Sequence, residues 1–179
     1  MAWSAPMTAV ANSTFTASQF NQYVRDNLNE TVPAKATAAG QIPVSTGANA
    51  IAMRSPAQAR VDTSQTTTSL PYTDLATIGP TISVVTGPTA IAFYAADMAN
   101  SADNGVAKFS VAVSGATSLA ASDQWMASID GIAAGNFNRH AMIHTFVGLT
   151  PGTNTFTMKY AVGSNTGTFR NRELNVFPL

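Results

Sequence analysis

Residues 153–162 read Thr-Asn-Thr-Phe-Thr-Met-Lys-Tyr-Ala-Val. Phe156, Met158, Tyr160 and Val162 fall on one parity, and Thr155, Thr157 and Lys159 on the other. Successive side chains of a strand point to opposite faces, so this is a strand with one face in a core and one toward water. Residues 106–113 repeat the pattern, with Ala107, Phe109, Val111 and Val113 against Lys108, Ser110 and Ala112. Working outward, similar runs occupy 81–86, 89–96, 124–129, 141–147 and 169–179. Turn-forming residues separate them: Gly87-Pro88, Asp103-Asn104-Gly105, Pro151-Gly152 and Asn165-Thr166-Gly167. No helix-length pattern lies between the runs, which argues against a parallel α/β sheet. The expectation is a mainly β fold in which 70–179 form an antiparallel, jelly-roll-like β-sandwich.

The first third reads differently. Thr16-Ala17-Ser18-Gln19 matches a capping box, with Phe15 and Phe20 placed as a hydrophobic staple. Phe20, Tyr23, Val24 and Leu28 follow at helical spacing, and Pro33 ends the pattern. These signals predict a helix over 16–31 inside an N-terminal segment, 1–33. So narrow a stripe must dock onto something, because a helix of this length is marginal alone. Residues 34–69 are punctuated by Gly40, Pro43, Gly47 and Pro56 and offer few large apolar side chains. Two readings stay open there: a flexible linker, or short strands that order by winding with identical copies.

Charge narrows the function. Nine basic and nine acidic residues cancel, and only 10% of the chain is charged, against about 25% in ordinary soluble domains. Without a basic excess the chain is not expected to bind nucleic acid. No apolar run approaches the roughly 20 residues of a membrane span, and no secretory leader is expected. The absence of cysteine removes disulfides and thiolate chemistry.

Candidate chemistry is sparse. His140 and His144 would share a strand face but lie roughly 13 Å apart, too far for one metal ion. The carboxylates are scattered over turns; Asp97, Asp103 and Asn104 are the nearest thing to a calcium loop, without EF-hand spacing. No nucleophile elbow, phosphate loop or dinucleotide fingerprint occurs. No cofactor, no metal and no catalytic residue are therefore expected. Arg170 and Arg172 should share a strand face and pair with a carboxylate. Trp125 is either a core aromatic or an exposed platform for a sugar ring.

Three stretches carry a family resemblance. Trp3, Pro6 and TASQFNQYVRDNL (16–28) resemble a short N-terminal element of tailed-bacteriophage virion proteins. ATAAGQIPVSTGANAIAMRSP (36–56) is similar to linkers of phage tail-fibre and head-fibre proteins. GLTPGTNTFTMKY (148–160) and TGTFRNRELNVFPL (166–179) look like the β-rich C-terminal domain of such proteins. One departure is Ala9-Val10-Ala11-Asn12, where the family has a second Trp.

The resemblance implies a non-enzymatic structural protein on the virion exterior, a fibre, minor tail or capsid decoration protein, present in the host cytoplasm during assembly. It implies homotrimers that also bind other virion proteins. Attachment and subunit contact would fall to Trp3, Phe15, Phe20, Asn21, Tyr23, Val24, Arg25, Asp26, Asn27 and Leu28, with Arg25 paired to a carboxylate. Ile42, Val44, Ile51 and Met53 would line the trimer axis. The alternative is a module that binds host cell-surface glycan through Trp125.

Overall fold

The computed structural model describes residues 3–179, which form two compact units meeting at Ser55 and Pro56. The second unit is mainly β. One sheet has the order β5 (Thr81–Thr86), β10 (Gly152–Val162), β7 (Ala107–Gly115), β8 (Ala127–Ile129). The other runs β3 (Ala57–Val61), β11 (Gly167–Pro178), β6 (Thr89–Asn100), β9 (Asn138–Val147), and β4 (Gln65–Thr67) also pairs with β11. All these pairings are antiparallel. The two sheets form a sandwich around Tyr94, Phe109, Phe146, Phe156, Met158, Tyr160, Phe169 and Leu174, all buried.

The alternation at 153–162 is what places β10 at the centre of its sheet. Phe156, Met158 and Tyr160 are fully buried, and the strand pairs with β7 on one side and β5 on the other. On the outer face Ser83 and Thr155 hydroxyls bond across β5 and β10 at 2.7 Å. Strand positions from 81 to 179 follow the sequence pattern, except that the run 124–129 is strand only at Ala127–Ile129, while Asp123–Trp125 form a 3-10 turn.

Two expectations need correction. The sandwich begins at Pro56 rather than at residue 70, because β3 and β4 belong to it. Ala57 and Ala59 pack against the core; strands of such small side chains are held mostly by ladder hydrogen bonds to β11, which hydropathy does not reveal. Arg170 and Arg172 also fail to share a face. The register slips between Arg170 and Glu173, with Asn171 at φ 49°, which turns Arg172 inward. Arg172 is completely buried and pairs with no carboxylate among the described residues. Its guanidinium donates to the carbonyls of Thr77, Gly79 and Thr63 and to Gln65 Oε1, at 3.1–3.4 Å, and lies over the Tyr160 ring. It thereby ties residues 63–65 and 77–79 to β11. Arg170 does pair with Asp97, at 3.5 Å.

The first unit holds a helical stretch and a hairpin. The helix runs as α1 (Ala17–Phe20), a π-helical segment (Asn21–Asp26) and α2 (Asn27–Asn29). Thr16 and Gln19 make the reciprocal capping box, and the Phe15 and Phe20 rings meet edge to face at 6.1 Å. Pro33 does not follow the helical region as its stop. It sits in the first turn of α3 (Val32–Lys35), where a missing N–H costs nothing. The hairpin is β1 (Ile42–Gly47) and β2 (Ala50–Arg54), turned through Asn49 at φ 55°.

Candidate functional site

The N-terminal unit is organised around Asn27, which is 4% exposed and the buried polar residue of its helix. Its Oδ1 accepts from the Ser4 N–H at 2.9 Å, and its Nδ2 donates to the Ser4 and Tyr23 carbonyls at 3.2 and 3.1 Å. An asparagine suits this place because it alone offers an acceptor and two donors on a short stem. One residue earlier, the Trp3 N–H donates to the Asn49 carbonyl at 3.0 Å. Residues 3 and 4 are thus pinned to the helix on one side and to the hairpin turn on the other. Trp3, Glu30 and Ile51 border a hollow of about 380 Å³ between them.

This arrangement decides which helical face looks outward. Asn27 is buried and Tyr23, Asp26 and Glu30 are half-buried, while Phe20, Val24 and Leu28 are exposed. Phe20 keeps 49% and Leu28 59% of their surface in water. In an α-helix residues four apart drift around the axis in one direction; the wider π turns drift in the other. Their mixture keeps Phe20, Val24 and Leu28 nearly in line. Phe15 extends the stripe at one end and Val32 lies exposed beyond the other. Asn21 is half-buried, and Arg25 is exposed with its Nε 2.8 Å from Asp26 Oδ1. The carboxylate partner expected for Arg25 is its own neighbour.

The four residues expected to line one axis do not form a single seam. Opposite residues of an antiparallel pair share a face, and Val44 stands opposite Ala52, Pro43 opposite Met53 and Ser45 opposite Ile51. Ile42 and Val44 therefore lie on one face of the hairpin, Ile51 and Met53 on the other. All four are half-buried within the chain.

Trp125 is half-buried at the edge of the sandwich core. Its Nε1 donates to the Val111 carbonyl at 2.8 Å, its ring stacks on His144 at 5.1 Å, and Phe146 meets it edge-on at 5.8 Å. A groove of about 350 Å³ runs beside it, but one ring face and the N–H are already committed to packing. Burial pushes the His144 imidazole below its usual pKa. His140, four residues earlier, is exposed. Among the described residues no three His, Cys, Asp or Glu side chains gather as metal ligands. Asp103 instead accepts from the Ala134 N–H at 2.8 Å, and Asp97 is held by Arg139 and Asn171.

No known family profile matches the chain, and no curated protein matches it. Loose structural likenesses do exist. One is the structure of infectious bursal virus derived T=1 particles, at 13% identity and TM-score 0.46, covering 77% of this chain and 36% of that one. Eiger TNF from S. frugiperda superposes at TM-score 0.41 with 7% identity, covering 70% and 92% of the two chains. A cyclase from Fischerella superposes at TM-score 0.32 with 14% identity, covering 66% and 76%. The chain spans under two-fifths of the length of the bursal virus chains it matches. Superpositions this loose say nothing about what this chain does.

Proposed function

We propose that this chain is a non-enzymatic structural component of a bacteriophage virion, a trimeric surface fibre or decoration protein. Its N-terminal unit docks to sister chains and to the particle, and the β-sandwich stands toward solvent. The observation that carries the reading is the outward apolar stripe of Phe20, Val24 and Leu28, capped by the Phe15 and Phe20 staple. A helix that turns its apolar residues to water and its asparagine inward is built to be covered by something else. The stripe coincides with the TASQFNQYVRDNL stretch that resembles phage attachment elements. Weak contacts repeated over several copies gain from multivalency.

The test is Phe20→Glu combined with Leu28→Glu in the full chain. Both positions are exposed, so the circular dichroism of the β-sandwich should not change. Incorporation into particles should fall at least tenfold, with the protein located on wild-type particles by electron microscopy. Normal incorporation of the double variant would refute the reading. The glycan-binding alternative gains no support from Trp125, whose ring is engaged within the chain.

A further inference from the structure

The sandwich carries a second uncovered surface, on the outer face of the β3–β11–β6–β9 sheet. Register places Phe93 beside Ile143, Ile91 beside both Thr145 and Phe177, and Val147 at the end of the same face. Phe93 and Phe177 meet edge to face at 5.5 Å. Ile143 is 59% and Val147 70% exposed, and both rings are exposed by more than a third. These side chains leave on the order of 350 Å² of apolar surface in water, taking ~150–250 Å² for a large side chain. A contiguous patch of that size matches the largest patch of a typical monomer, which is often functional, and differs from singly scattered exposure.

The other half of the same face is charged, and its charges are balanced. Arg60, Arg139 and Arg170 face Asp62, Asp97 and Glu173. Arg139 bridges Asp97 at 3.1 Å and Glu173 at 3.2 Å, and Arg60 pairs with Asp62. A face with three charges of each sign, already paired, presents no net field to recruit an acidic or basic partner. It also presents none that repels an identical copy. A standard interface buries ~800 Å² per partner, with an apolar centre and a polar rim. The apolar half supplies such a centre and the neutral ion network such a rim.

We infer that the outer face of this sheet is a contact between copies of this chain, separate from the helical stripe. The inference rests on the self-assembly part of the proposed function and adds where the sandwiches meet. The chain has no cysteine, so Thr145→Cys places a single exposed thiol in the middle of the patch. Mild oxidation of the full chain should give a disulfide-linked species of twice 18.6 kDa. Ser83→Cys, exposed on the outer face of the other sheet, should stay unlinked. Ile143→Lys should leave the fold unchanged by circular dichroism. It should raise the concentration at which the oligomer dissociates, read by light scattering, at least tenfold.

The inference is overturned if Thr145→Cys reacts with a thiol reagent yet never cross-links, and Ile143→Lys dissociates like wild type. If the oligomer persists under that result, the proposed function stands and only this surface falls. A wild-type chain that is monomeric at every concentration overturns both. Cross-linking through Thr145→Cys, together with normal particle incorporation of the Phe20 and Leu28 variant, supports the surface and refutes the anchor.

Discussion

Replacing Asn27 by Ala tests how the N-terminal unit is held together. Three hydrogen bonds vanish, two to Ser4 and one to the Tyr23 carbonyl. At a net worth of about 0.5–1.5 kcal/mol each, the loss is about 1.5–4.5 kcal/mol. The upper part of that range applies only if Ser4 stays buried without partners. Residues 3 and 4 can instead peel away and rehydrate, although the Trp3 N–H bond to the Asn49 carbonyl still holds them in part. About 2 kcal/mol is therefore the expectation, which favours local opening by roughly thirtyfold. Hydrogen exchange of the Ser4 amide should accelerate by that factor. Exchange in β10, in the separate second unit, should not change.

Asn27→Asp sharpens the argument. A carboxylate keeps the acceptor for the Ser4 N–H but loses both donors and sets a charge against two carbonyl oxygens. It should therefore be worse than Ala at neutral pH. Burial and the facing carbonyls would raise the pKa of that carboxyl, so its charged form opposes folding. The defect should shrink as the pH falls below its titration, when a protonated oxygen can donate again. Unchanged Ser4 exchange in Asn27→Ala, or an Asp variant equal to wild type at neutral pH, would refute the clamp.

Two further outcomes are expected. Arg172→Ala removes hydrogen bonds to the Thr77, Gly79 and Thr63 carbonyls, of which only that of Gly79 is buried and it still accepts from the Tyr160 hydroxyl; at about 0.5–1.5 kcal/mol each, urea unfolding should show a loss of about 1.5–4.5 kcal/mol. Arg172→Met should recover only the packing share of that loss, and equal stability of all three proteins would refute the tie that Arg172 makes between β11 and residues 63–65 and 77–79. The melting temperature should fall with acid in two stages. The His144 pKa is lowered by burial, so its contribution is complete above about 6.5 and is lost as pH drops through its folded value. Asp97 is desolvated, but hydrogen bonds from Asn171 and Arg139 outweigh this and lower it. Asp123 is lowered by hydrogen bonds from Lys108 and then Tyr72. Both carboxylates stabilise above about 4 and lose that contribution below it. His144→Gln should remove the upper stage alone, which a scan of melting temperature against pH will show.

Period-2 alternation made most of the sandwich legible, because β7 and β10 each bury one face written in large apolar residues, whereas β6 buries Ala90, Ala92 and Ala96 beside Tyr94 and Met98 and turns Phe93 outward. The same signal is silent for β3, whose inward residues are Ala57 and Ala59. Sequence separation hid the hairpin arrangement as well. Ile42, Val44, Ile51 and Met53 look like one apolar set until the pairing register divides them between two faces. At Arg172 the alternation was present but misleading, since a single left-handed residue, Asn171, shifts the parity of everything before it. A bulge costs one residue and leaves only an asparagine as its trace.

The helix shows a subtler limit. An apolar stripe at i, i+4 and i+8 is normally read as the face that packs inward, and the spacing of Phe20, Val24 and Leu28 is correct as spacing. What spacing lacks is the identity of the surface that covers it. In this unit the inward side is mostly backbone: the Ser4 amide and carbonyl and the Tyr23 carbonyl, which call for an amide side chain rather than for apolar contact. Asn27 answers that demand and so fixes the rotation of the helix. Once Asn27 points in, the apolar stripe must point out. The polar clamp and the exposed stripe are then one feature, so a chain that loses Asn27 should lose the presentation of Phe20 and Leu28 with it, although neither residue has been touched.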